Sequence, residues 1–389
     1  MAESMSAPDD RIEDAYDVVI IGAGIAGASL AYFLAQRGVA RVLVVERESH
    51  PAYHSTGRSA ASVVEIDLNA TVQDIKIQGA GFLRNPPAGF AANPLLEERG
   101  VLVLLCAERL AALAREADLL AGAGMPVQIL DQAAANQLVD GQLDTRHFAG
   151  AAFLPRDGFV DVHELLSSYI SHARRAGTKF VFSADAVPEV SAGRCSGVRM
   201  GTHSVRAGVV VDAAGAWAGE VAIAAGAVAI PMVPKRRCMA VLEVPGQHDL
   251  RRWPMVWHDD LRIYFRDDAG RLMLCPMDET PMPPCDAAWD EEAIAAGIER
   301  MAMLAPGLRP RSIFHRWAGL RTFAPDGVPV VGHDPVRDGF FWLAGQGGCG
   351  IETSGALGAI AADLLLDHRT ARFDATRLAP ERFAAQAAD

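Results

Sequence analysis

The chain has 389 residues, half of them hydrophobic, and a net charge of −12. That length can bury a large core, expected as two domains, and an acidic balance without a basic stripe speaks against binding nucleic acid or an anionic membrane. The six cysteines show no C-x-x-C pair and no metal-ligand spacing, so no metal site is expected, and buried thiols in a reducing, cytoplasmic compartment are the natural reading.

Residues 1–17 are acidic and polar, unlike a signal or transit peptide. Asp17-Val-Val-Ile-Ile-Gly-Ala-Gly-Ile-Ala-Gly27 followed by Arg41-Val-Leu-Val-Val-Glu46 predicts a strand, a glycine turn, a helix and a second strand. Gly22 allows the tight turn, Gly24 lets backbone approach a pyrophosphate, and Gly27 lets the helix pack close to the strand. Phosphates would sit at the helix N-terminus, over Ile25 and Ala26, where unsatisfied N–H groups and the helix dipole favour negative charge. Glu46 is placed to accept from ribose hydroxyls, with Arg47 beside it. An adenine dinucleotide is expected.

The segment from His54 to Ser62 is small and hydroxylated, suited to lie against a cofactor through Ser55, Thr56, Gly57, Arg58, Ser59, Ala60 and Ala61. Asn85 to Phe90 is a turn, Val101 to Ala107 an apolar strand, and Glu108 to Gly122 an amphipathic helix. Asp161 with Glu164 reads as a capping box opening a helix to Arg175. The most apolar region, Ala207 to Pro234, is interrupted by Asp212 and Glu220, so no transmembrane helix is expected. Gly208 to Gly215 reads as a buried strand whose end, with Ala214, Gly215 and Trp217, approaches the ligand. Arg236 to Val244 and Leu261 to Arg266 predict strands of a separate sheet, with a turn at Asp268 to Gly270, and Glu291 to Leu304 a helix.

Last come a strand, Phe340 to Ala344, the turn Gly345-Gln-Gly-Gly-Cys-Gly350, and a helix through Leu366. A second strand–glycine–helix unit suits a flavin, whose ring lies far from the adenine end and needs its own seat. A helix N-terminus there would stabilise the anion formed on two-electron reduction. The two turns together favour FAD over NAD.

Tyr53 to Ala61, Asn85 to Phe90, Pro234 to Arg237, Trp253-Pro-Met255, Trp317-Ala-Gly-Leu-Arg321 and Gly339 to Ile351 together resemble the D-amino-acid oxidase superfamily of flavoenzymes, most of all its bacterial D-arginine dehydrogenase branch. The resemblance implies an α/β (α+β, two-domain) fold. Residues 14–62, 145–230 and 322–385 would form a discontinuous Rossmann-like FAD domain. Residues 63–144 and 231–321 would form a substrate domain with a mainly antiparallel sheet. It also implies noncovalent FAD, because no cysteine stands just before Pro325-Asp-Gly327. Val187 would pack near the adenine end, and Gly345 and Gly347, Gly348, Cys349, Gly350, Ile351 and Glu352 would cradle the ring, with Gly319 nearby.

Arg321 would bind the substrate α-carboxylate, and Arg237, Tyr264 and Gly348 would complete the catalytic set. A guanidinium can grip a carboxylate by two parallel hydrogen bonds, fixing its plane and aiming Cα–H at flavin N5. The expected activity is oxidation of a D-amino acid by hydride transfer, giving an imino acid that hydrolyses to a 2-oxo acid and ammonia. The electron acceptor would be oxygen, a respiratory quinone or another acceptor.

The side-chain pocket departs from that branch. Val101 stands where an acid would read a guanidinium, Ser62 replaces a histidine, and Asp67 falls near a lid tyrosine. With Met255 and Trp257 these positions predict an apolar or small side chain, with Glu65 and Asp67 as possible replacement acids. His54 and His258 are expected in surface or loop roles. Glycine, N-methyl or cyclic amino acids, and 2-hydroxy acids are alternatives on the same fold. A noncatalytic flavin-binding protein is a more remote one.

Overall fold

The computed structural model describes residues 12–246 and 248–387, with side chains through residue 384; residues 1–11 of the acidic leader lie outside it. Ala15–Ile21 pairs in parallel with His203–Asp212 on one side and Val42–Val45 on the other. Lys179–Val181 extends the parallel sheet beyond Val42–Val45, and Phe340–Ala344 extends it beyond His203–Asp212. An antiparallel ribbon, Ala186–Ser191 with Arg194–Met200, and the strand Val330–His333 complete eight strands. The central strands read as near-continuous Val/Ile/Leu runs because both faces are covered; Val42 to Val45 are all buried.

The helices Ile25–Gln36, Ala70–Arg84 and Gly350–Asp367 pack together over one face. Gly350–Asp367 is apolar nearly all round, as a helix enclosed by others must be. At the first glycine turn, Gly22 takes φ +106°, and a Cβ there would stand 2.5 Å from the Ala213 carbonyl oxygen. Only glycine fits that turn without strain.

A nine-stranded mixed sheet forms the second layer. Its longest ladder pairs Val233–Glu243 with Ser312–Phe323; Ile263–Asp268 and Arg271–Cys275 follow as a hairpin. One face packs Leu102, Leu104, Val256, Phe265 and Leu274 beneath the helix Glu291–Leu304. The other, with Met239, Met255, Tyr264 and Met273, turns towards the nucleotide-binding layer.

Pairing and packing run across the expected segments. Gly150–Leu154, grouped by sequence with the FAD segments, pairs with Val101–Leu105 in the second sheet. Ala70–Arg84, grouped with the substrate segments, lends Val72 and Ile75 to the core of the first layer. The capping box is half formed: Asp161 accepts from the Glu164 N–H at 2.8 Å, but the Glu164 carboxylate takes the Ala92 N–H at 2.7 Å.

Candidate active site

Two cavities open along the carboxyl ends of the parallel strands, where ligands bind in open α/β sheets. The smaller, about 120 Å³, is bordered by Gly22, Glu46, Arg47, Ala214 and Trp217. The larger, about 480 Å³, reaches the second glycine turn. Gly24, Ser55, Thr56, Ala213 and Gly215 border both, so they form one continuous groove that narrows at the first helix N-terminus.

Local hydrogen bonds shape the narrow end. Glu46 Oε2 accepts from the Ala23 N–H at 2.8 Å, tying the second strand to the glycine turn. Arg47 stacks 4.8 Å from the Trp217 ring and pairs with Asp185. Thr56 Oγ1 accepts from the Ile25 N–H at 3.1 Å, so the hydroxylated loop also ties down the first turn of the helix. Ser55 Oγ donates to the Leu320 carbonyl, fastening the same loop to the second sheet. The Arg58 guanidinium turns to Asp286 and the carbonyls of Ala287 and Ala318, and Arg58 with Ser59, Ala60, Ala61 and Ser62 borders the large cavity.

At the wide end, Gly347 to Glu352 wall the cavity and open the helix Gly350–Asp367, whose first N–H groups lack intrahelical acceptors. Cys349 Sγ donates to the Gln346 carbonyl, and burial pushes its thiol up to about 12, so it packs rather than ionises. Lys76 also lines the wall, 2.8 Å from Asp67 and 3.5 Å from Glu352. Burial works to lower its ammonium, but the carboxylates outweigh it and hold it above its ordinary value. Burial also pushes the Glu352 carboxyl up, against the pull of Lys76 and of the Val64 N–H it accepts. Sequence reading missed Lys76. Its signal was a lysine on the buried stripe Val72, Ile75, Lys76, Gly79, Ala80, Leu83.

The second sheet supplies the roof. Arg237 and Arg321 lie on paired antiparallel strands, with Lys235 facing Arg321 and Arg237 facing Gly319. Arg321 Nη2 donates to the Tyr264 hydroxyl at 3.3 Å. Burial opposes the Arg321 charge, but Tyr264, Cys275 and Glu279 outweigh it and its pKa is raised. Tyr264 is pushed up by burial and by Cys275, while Arg321 and Arg237 pull it down. Arg237 is 5% exposed and pairs with Glu279 at 2.7 Å, so it is no solvated charge. Gly348 gives Arg321 its room: a Cβ there would stand 2.7 Å from Nη1.

Most expected site residues therefore converge, including Ile25, Ala26, Gly319, Gly350, Ile351, Met255 and Trp257. Gly27, inside the first helix, packs against the Gly22 carbonyl, while Gly57 and Gly345 lie in loop segments off the cavity lining. Val101 does not border the cavity: it is wholly buried behind it, in a cluster with Met255 and Tyr264. Val187 is likewise off the groove, while Ala184 to Ala186 border it. Glu65 points inward to Arg84 at 2.7 Å, leaving Asp67 as the acid on the cavity. His258 is buried, facing the His147 carbonyl through Nε2 and accepting from the Leu261 N–H at Nδ1, so it braces a loop from within. His54 lies in the narrow end, against Glu48.

The groove suits a long two-part ligand: a narrow waist at a helix N-terminus, an acid and an aromatic at one end, and a second helix N-terminus at the other. The sequence profile of the FAD dependent oxidoreductases (DAO) matches residues 17–364. The chain belongs to that family. It is an FAD-dependent oxidoreductase. It is 28% identical to a glycine oxidase of Geobacillus kaustophilus, over 92% of this chain and 94% of that protein. It is 26% identical to mouse mitochondrial dimethylglycine dehydrogenase, covering 98% of this chain but only 46% of that protein. An L-proline dehydrogenase of P. horikoshii shares the fold, with a TM-score of 0.86 at 21% identity over 96% of this chain and 99% of its own. FAD fits the residues present: Gly22, Gly24 and Thr56 form the waist, Glu46 and Trp217 one end, and Gly347 to Glu352 the other. Among the described residues, no helix is long and apolar enough to cross a membrane and no cluster suits a metal ion.

Proposed function

We propose that this enzyme oxidises the Cα–N bond of a small D-amino acid to the imino acid, which water converts to a 2-oxo acid and ammonia. The observation that carries the reading is Arg321, a half-buried guanidinium on the cavity beside the second glycine turn, with a neutral phenol as its hydrogen-bond partner. Such a group is suited to grip an α-carboxylate and fix the orientation of Cα. Bound FAD supplies the two-electron chemistry. Tyr264 holds Arg321, Gly348 leaves it space, and Met239, Met255, Trp257 and Met277 limit the bulk of the side chain. Among the described residues, no histidine borders the large cavity, in keeping with a substrate whose amine binds neutral. FAD would be held noncovalently, since Phe323 and Ala324 precede Pro325 where a linking cysteine would stand. By strand pairing, the FAD domain would take the first sheet with the helix Ala70–Arg84, and the substrate domain the second sheet with Gly150–Leu154.

The same grip would serve glycine, an N-methyl or cyclic amino acid, or a 2-hydroxy acid. Relatives named for glycine, dimethylglycine and L-proline favour the first three as the second reading. The deciding experiment is anaerobic absorbance of the holoenzyme against D- and L-amino acids, sarcosine, proline and 2-hydroxy acids. Bleaching of the flavin band by D-amino acids supports the proposal. Bleaching by L-enantiomers or hydroxy acids alone replaces it, and bleaching by none returns the noncatalytic reading.

A further inference from the structure

The roof carries more positive charge than one carboxylate can meet. In the ladder that joins their strands, Arg237 and Arg321 stand on the same side of the sheet at diagonal positions, roughly 7–8 Å apart. Gly319, directly opposite Arg237, adds no side chain between them. Both guanidiniums border the cavity. Among the described residues, Arg321 has no carboxylate within ion-pair distance. Arg237 gives Nη2 to Glu279, while its buried Nε and Nη1 have no hydrogen-bond partner. Glu279 is itself shared with Lys235 at 4.0 Å and Arg262 at 3.5 Å. Three cations thus share a single acid, and Arg321 stands beside them without one. Buried donors left unmade are costly; Nε and Nη1 are themselves covered, but Arg237 borders the cavity, so a small turn of the guanidinium towards a ligand there would give them acceptors.

We propose that the substrate carries a second carboxylate, on a short side chain or on the amine nitrogen. Arg321 takes the α-carboxylate and the free donors of Arg237 take the other. The inference rests on the amino-acid oxidation proposed above and amends its side-chain part: the apolar wall sets the length of the substrate, and the roof sets its charge. The competing arrangement has both arginines on one carboxylate.

The two arrangements separate in a binding titration of the holoenzyme with unreactive acids, followed by perturbation of the flavin spectrum. Propionate serves as the single-carboxylate probe, and malonate and succinate as the double ones. Malonate or succinate is expected to bind about 10- to 100-fold more tightly than propionate, the range for an added charged hydrogen bond. Arg237→Met is expected to erase that advantage and leave propionate within about twofold. Arg237→Lys keeps the charge without the fork and is expected to fall between. FAD content and the thermal midpoint check that each variant folds, and the lysine variant carries the test if the methionine one does not. Equal weakening of propionate and succinate in the variants, or no dicarboxylate advantage in the wild type, overturns the proposal.

Anaerobic bleaching with aspartate, glutamate and iminodiacetate against alanine and glycine keeps the two readings apart. Bleaching by alanine without dicarboxylate preference sinks only this inference. Bleaching by no amino acid sinks the oxidation reading, while the titration still decides whether the roof holds two carboxylates.

Discussion

The Tyr264 hydroxyl accepts from Arg321 Nη2 at 3.3 Å and faces Met239 Sδ at 3.7 Å. The tyrosine sits on the strand Ile263–Asp268 and the arginine on Ser312–Phe323. Their meeting links two strands that are not neighbours in the sheet. One hydroxyl holds the guanidinium over the cavity by bonding a single nitrogen, which leaves the remaining N–H groups for a ligand.

Tyr264→Phe should therefore loosen Arg321 without emptying the core. A hydrogen bond from a charged donor contributes about 1.5–3 kcal/mol net, so the thermal midpoint should fall by only a few degrees and FAD should stay bound. The expected signature is a rise in KM of about tenfold, the scale of a charge-assisted bond, with a smaller change in kcat. A kcat loss at unchanged KM would place the hydroxyl in the chemical step instead.

At the other end of the groove, Gly22→Ala puts a Cβ against the Ala213 carbonyl and forces φ +106° on an L-residue. Gly38 has φ +78° with nothing near its missing Cβ, so Gly38→Ala isolates the backbone strain. That strain should cost about 1 kcal/mol and leave FAD content unchanged. Gly22→Ala should cost more and purify with markedly less FAD, read from the ratio of flavin to protein absorbance. Equal FAD content in both variants would mean that the first turn does not shape the cofactor seat.

What the sequence made legible follows from local rules. Gly22, Gly24 and Gly27, and the turn from Gly345 to Gly350, announce strand–turn–helix units because the chain itself requires glycine there. The convergence of Arg237, Tyr264 and Arg321 came from resemblance; the strand registers then supply the physical reason. Lys76 was missed because nothing local says that Asp67 and Glu352 would meet it. Glu65 read as an acid on the cavity, since its partner Arg84 lies 19 residues on and is brought to it by the fold. The pairing of Gly150–Leu154 with Val101–Leu105 was illegible for the same reason: strand pairing is nonlocal.

Asp212 supplies a pH test. It is fully buried at the end of its strand, with Oδ1 accepting from the Ala214 N–H and Oδ2 unpartnered. Burial pushes its carboxyl up to about 8, from an ordinary 3.8. Between those values the folded state holds a proton that the unfolded state has lost, so this group's contribution to stability is full below pH 4 and disappears as pH rises through 8. Asp212→Asn mimics the protonated form. Chemical denaturation should show a flatter stability–pH slope between 4 and 8 and a gain of about 1–3 kcal/mol at pH 8. An unchanged slope would mean that Asp212 is ionised in the fold.

Val101 decides where specificity is written. Its side chain is wholly buried beside Met255, its partner on the neighbouring strand, in one cluster with Tyr264, and does not border the cavity. Were it the position that reads a substrate side chain, Val101→Glu would confer oxidation of D-arginine. Its burial leads to another expectation: the carboxylate would enter an apolar cluster whose neighbouring cations, Arg99 and Arg266, are already engaged, and stability should fall by about 3–5 kcal/mol, the scale of an uncompensated buried charge. No gain with D-arginine should accompany that loss. Met255→Ala and Trp257→Ala border the cavity and should instead widen the range of side chains accepted, seen as lower KM values for bulky amino acids. D-arginine turnover by Val101→Glu would show that the wall can open to bring residue 101 to the substrate.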